Sequence, residues 1–206
     1  MNKLTLFVVL LPFVAKVSSA QFPASQSRPV QVTGEIVYAN KKVEPVKFEM
    51  LAILNGISVE DIENKIHYID EKGNRKILRP KDAEEIRFKW DEQDVRMVSR
   101  KPRHEATKKK FMRLLDDGRV RLYEYIKTYR FVGRATIDRA RVQTTIYWYV
   151  ERKDARMMMM KPLGFKKKMS KYFADCPKLA ERIIAGAYKA IDAGQIVQYY
   201  NGDNCR

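Results

Sequence analysis

The stretch Lys65–Trp90, KIHYIDEKGNRKILRPKDAEEIRFKW, decides the fold. It reads as a strand, a Gly-Asn turn, a second strand, a polar turn at PKDAEEI and a third strand at IRFKW. In that third strand Ile86, Phe88 and Trp90 fall on one side, with Arg87 and Lys89 on the other. Period-two alternation of this kind marks a strand with one buried face. The same pattern extends in both directions. Upstream, GEIVYAN and VEPVKFEM are separated by a short polar turn and form a hairpin, with Val46, Phe48 and Met50 sharing a face. LAILNGISVEDIENK interrupts the alternation, and a short helix is expected just before Lys65. Downstream, VRMVSR continues the strands, and Asp-Asp-Gly at 116–118 turns KKKFMRLL back into RVRLYEYIKTY. In TTIYWYVERK, Ile146, Trp148 and Val150 oppose Tyr147, Tyr149 and Glu151. About eight to ten strands are expected, antiparallel because the connections are too short for crossovers.

After Pro162 the period becomes helical. Phe165, Met169, Tyr172 and Phe173 form an apolar stripe on a lysine-rich helix. Pro177 suits the first turn of a second helix, whose buried face is Leu179, Ala180, Ile183 and Ile184 and whose end is Gly186. Asp192 is expected to cap a third helix, with Gln195 reaching back and Ile196, Val197 and Tyr200 facing inward. The fold class is therefore α+β: an antiparallel sheet or partly closed barrel over 31–161, followed by a helical unit over 162–206.

The first twenty residues, MNKLTLFVVLLPFVAKVSSA, have a cationic start, an apolar run and small residues before Gln21. That is the pattern of a secretory signal peptide. The apolar run is shorter than the roughly 20 residues that cross a bilayer. Residues 21–30 read as a linker. The protein is thus expected to be exported: periplasmic, envelope-associated or secreted. Export gives its two cysteines an oxidising environment in which to pair. Only one intramolecular pairing exists, Cys176 with Cys205, and a loop of that size contributes roughly 3.5 kcal/mol in the chain-entropy model. The bond would tie the last helix to the start of the second.

The formal charge is +16, falling to +14 once Lys3 and Lys16 leave with the leader. Such a protein is attracted to anionic partners, an envelope polymer or lipid headgroups among them. With 45% apolar residues it still has material for a core, which excludes wholesale disorder.

Several stretches together carry a resemblance: GEIVYAN, the 65–88 segment, LLDDGRVRLYEYI, YWYVERK and the C-terminal YFADCPKLAERI followed by IVQYYNGDNC. In that order they resemble a family of uncharacterised exported Bacteroidetes proteins that combine a β-rich body with a Y-F-x-D-C-P-x-L element and a terminal I-V-x-x-Y-N before cysteine. The resemblance implies envelope localisation and this fold, and brings no activity and no catalytic residues. The basic stretch RFVGRATIDRARVQ, 130–143, departs from the pattern.

No catalytic motif stands out. His67 and His104 are the only histidines and sit in no metal-ligand spacing, and there is no GxSxG elbow or glycine-rich phosphate loop. The carboxylates of DAEEI and LLDDG lie in turns and read as solvated. Met157 to Met160 offers thioethers suited to Cu(I), but consecutive strand residues point to alternate faces, and packing is the simpler role. No cofactor or metal is expected. The feature that remains is cationic: from Arg100 to Arg141 there are 14 Lys or Arg against 5 Asp or Glu. Within it Arg119, Arg121, Lys127 and Arg130 interleave with Tyr123 and Tyr125, a pattern able to bind an anionic ligand. Its structural alternative is a solvated strand face whose aromatics enter the core. The expected function is a non-enzymatic binding or scaffold protein; the alternatives are an enzyme acting on envelope components and a structural subunit of an envelope assembly.

Overall fold

A computed structural model describes residues 28–53, 56–57, 59–102, 108–131, 141–153 and 156–205. The expected leader, most of the 21–30 linker and His104 lie outside the described residues.

Strand β1 (Arg28–Val37) starts ahead of the expected residue 31 and hairpins into β2 (Val43–Ile53), which also pairs with the two-residue β3 (Gly56–Ile57). Helix α1 (Val59–Asn64) falls where the alternation breaks. Next come β4 (Ile66–Ile69), β5 (Arg75–Leu78), β6 (Glu85–Trp90) and β7 (Gln93–Arg100). Long strands follow in β8 (Lys110–Asp117), β9 (Val120–Phe131) and β10 (Arg141–Arg152), then the short β11 (Met158–Met159). The main path runs β11-β10-β9-β8-β7-β6-β1-β2-β4-β5, antiparallel throughout. Its end strands do not pair with each other, so the sheet is open rather than a closed barrel. Both end strands are short, and β5 carries Arg75 and Lys76, features that discourage edge pairing.

One core forms around Ile36, Phe48, Ile86 and Phe111, all completely buried, with Ile62 of α1 in the same cluster. Gly34 is fixed by this packing. It pairs with both Val46 and Phe88, and Phe48 meets Phe88 edge-to-face beside it. A Cβ there would come within 2.3 Å of the Arg87 carbonyl. Helix α1 is tied to the long strands by polar bonds. Buried Glu63 accepts from the Ile126 N–H at 3.0 Å, and Lys110 Nζ donates to Asn64 Oδ1.

The C-terminal helices are α2 (Phe165–Tyr172), α3 (Pro177–Ala185) and α4 (Ala193–Asn201). They cover one face of the β8–β10 end: Val120, Leu122 and Val150 share a core with Phe165, Met169, Phe173, Leu179, Ile183, Ile196 and Val197. Each fully buried side chain of this size contributes about 1.5–3 kcal/mol. Tyr123, Tyr125 and Tyr149, at the alternate positions, form a separate cluster with Val98 and Met112. The methionine run obeys the same alternation: Met157 and Met159 pack in the tyrosine cluster, Met158 and Met160 with the helices.

Two expectations are corrected. Ile184 is 59% exposed, because α3 is short and only its Leu179–Ile183 stripe meets the core. Asp192 stands at the N-cap position of α4, as expected, but its side chain makes no cap hydrogen bond there. Its carboxylate accepts from the Lys189 N–H at 2.7 Å and closes a 3-10 turn over Ala190–Asp192. Pro177 in the first turn and left-handed Gly186 at the end of α3 are as expected.

Candidate functional site

Cys176 and Cys205 are disulfide-bonded, with Cα atoms 5.1 Å apart, inside the usual range. The bond is one part of a joint that fastens the C-terminus to the β8–β9 turn. Asn201 presents its carboxamide to Val120 as a strand would: Oδ1 accepts from Val120 N at 2.9 Å, and Nδ2 donates to Val120 O at 2.8 Å. Nδ2 also donates to Asp116 Oδ1 at 2.7 Å. The carboxamide lies so close to Gly118 that a Cβ there would stand 2.3 Å from it. Around this contact Arg152 donates to the Tyr172 carbonyl and to Asp175, and Asp175 also accepts from the Tyr200 hydroxyl. DDGR, YFADC and YYNGDNC, distant in sequence, therefore meet in one place.

Of the six cationic and aromatic residues singled out, Arg119 in the β8–β9 turn and Arg121, Tyr123 and Tyr125 in β9 are engaged within the fold. Arg119 donates to the carbonyls of Tyr200 and Cys205 and lies 4.8 Å over the Tyr200 ring. Arg121 donates to Asp117 at 2.7 Å. Tyr123 and Tyr125 are buried, Tyr125 stacked on Tyr147. Lys127 is half-buried, and the Arg130 side chain lies outside the described residues. The aromatics thus enter the core, while Arg119 and Arg121 engage groups of the fold.

A ladder of charges crosses this part of the sheet. Glu85, nearly buried on β6, accepts from Arg87 at 2.8 Å and from Arg96 at 2.5 Å; Arg96 reaches Asp117 at 2.7 Å, and Asp117 holds Arg121. Burial pushes the Glu85 carboxyl up, but Arg96 and Arg87 outweigh it and hold it below its ordinary value. Beside the ladder, Arg100 and Tyr123 both donate to Glu151, at 3.0 and 2.6 Å. Burial, followed by the bond to Glu151, pushes the Tyr123 hydroxyl up to about 12. Both shifts run away from neutrality, so neither group is tuned for proton transfer near pH 7. A groove of about 590 Å³ opens nearby between Gly34, Pro45, Arg87 and Arg96, its arginines already held by Glu85.

Lys101, Lys108 and Lys109 of the cationic region are exposed, and a denser run of accessible charge lies in and beside α2. From Lys161 to Lys171 there are five lysines and no carboxylate. Lys161, Lys166, Lys167, Lys168 and Lys171 are all exposed, and none makes an ion pair among the described residues. A groove of about 690 Å³ adjoins them, bounded by Pro162, Phe165, Lys166, Lys167, Lys189 and Ile191. In the sequence these lysines read only as the polar side of an amphipathic helix, since nothing local shows whether acidic partners lie near them in space. No protein-family model, no curated protein and no solved structure matches this chain.

Proposed function

We propose that this is an exported, envelope-associated protein that binds an anionic partner without catalysis, and that its contact surface is the lysine face of α2 and the loops beside it. The observation that carries this reading is the placement of Lys166, Lys167 and Lys168 in the first turn of α2, with no acidic residue there. Positive charge at a helix N-terminus opposes the helix dipole at a cost of about 0.3–1 kcal/mol each. These lysines do not serve the helix, and they have no ion-pair partner among the described residues. A partner outside the chain accounts for them. The leader-like N-terminus, the disulfide and the resemblance to exported Bacteroidetes proteins support the compartment.

The test is retention on heparin as a generic polyanion. Elution should move to lower salt when Lys166, Lys167, Lys168 and Lys171 are together replaced by glutamate, and wild-type binding should weaken steeply with ionic strength. Equal elution of variant and wild type would dismiss this surface.

A further inference from the structure

Two large apolar side chains stand in water beside the lysines: Leu163 is 86% exposed and Ile191 is 77% exposed. Leu163 lies between Pro162 and Gly164, and those two residues and Ile191 line the same groove. A single exposed apolar residue is ordinary. Here two of them flank an apolar-walled groove whose charged members, Lys166, Lys167 and Lys189, are all cations. The one carboxylate beside Ile191, Asp192, is engaged by the Lys189 backbone.

We infer that this corner docks on an anionic lipid bilayer: Leu163 and Ile191 enter the acyl boundary while Lys161, Lys166, Lys167 and Lys189 meet the headgroup phosphates. The inference rests on the preceding reading of the lysine face and narrows its partner to lipid. A soluble polyanion would pair with the lysines yet leave both apolar side chains in water. A bilayer engages the two kinds of group at once, as interfacial helices and loops do. Among the described residues no helix is long and apolar enough to cross a membrane, so this attachment is peripheral. Each lysine near an anionic surface contributes about fivefold in affinity, and each buried apolar side chain about tenfold or more. Binding is therefore reversible and falls with salt.

The experiment compares co-sedimentation of the purified protein with two vesicle types, phosphatidylcholine alone and an equal mixture with phosphatidylglycerol, alongside heparin retention. The protein should bind the anionic vesicles and not the neutral ones. Leu163→Ser with Ile191→Ser should lower vesicle affinity roughly a hundredfold and leave heparin retention and the melting temperature unchanged. Lys161→Glu with Lys167→Glu should weaken both kinds of binding. In a Leu163→Trp variant the tryptophan emission should shift to the blue when anionic vesicles are added. Heparin retention without vesicle binding, vesicle binding indifferent to the apolar pair, or an unshifted tryptophan would each overturn the bilayer inference while leaving the polyanion reading standing. Failure of wild type to bind either probe would overturn both.

Discussion

Replacing Asn201 by alanine removes three hydrogen bonds in one step, all at the joint between the C-terminus and the β8–β9 turn. The carboxamide orientation follows from its partners, since Val120 N–H needs an acceptor and Val120 C=O a donor. A typical protein hydrogen bond contributes about 1 kcal/mol net, and one to a carboxylate such as Asp116 somewhat more. The Val120 backbone, left with poorly solvated polar groups, adds to the loss. Asn201→Ala should therefore cost about 3 kcal/mol, which in a chain of this size lowers the melting temperature by about 6–12 °C. Urea denaturation should show the midpoint falling with the slope preserved. Asn204→Ala, at an exposed position in the same segment, should change stability by about 0.5 kcal/mol or less. If Asn201→Ala cost no more than this control, the carboxamide would not be fastening the tail, and the joint would reduce to its disulfide and apolar contacts.

Cys205→Ser, or reduction of the wild type, should cost about 2–4 kcal/mol by denaturant titration; a smaller change would mean the joint holds without its covalent link. Glu124 should respond to pH in the opposite sense to Glu85. Burial raises the Glu124 carboxyl against the pull of Arg113, so its contribution is present below about pH 4.5 and lost as pH rises through its folded value. Glu124→Gln should accordingly melt higher than wild type at pH 7, with the gain vanishing in acid. The net lowering of Glu85 places its contribution above about pH 4.5, lost as pH falls through its folded value. Glu85→Gln should melt lower than wild type at pH 7, with the gap closing in acid, and parallel melting profiles would contradict both assignments.

Local periodicity made much of this fold legible. Ile86 and Phe88 on β6, and Val46, Phe48 and Met50 on β2, are buried as their alternation requires. The left-handed glycines at 73 and 186 end a strand turn and a helix where expected. What alternation does not encode is which strand lies beside which. The β1–β2 hairpin follows from its short turn, but nothing local places β6 on the other side of β1, because those two edges are not neighbours in sequence. The same limit hid the fate of the charges. Arg119 and Arg121 look alike in sequence, yet one binds carbonyls of residues 81 and 86 positions away and the other an aspartate four positions back. Ile184 satisfied a helical stripe, but the fold leaves it exposed. The lysines of α2 could be named from the sequence, whereas their lack of ion-pair partners among the described residues could be seen only in space.

Hydrogen–deuterium exchange of the wild-type protein, with and without a saturating anionic partner, locates the contact surface without altering a residue. Heparin and phosphatidylglycerol-containing vesicles should each slow exchange over 161–171 and 187–191 and leave 119–127 unchanged. Slowing confined to 119–127, with the α2 region exchanging as in the free protein, would return the binding surface to β9 and contradict the account.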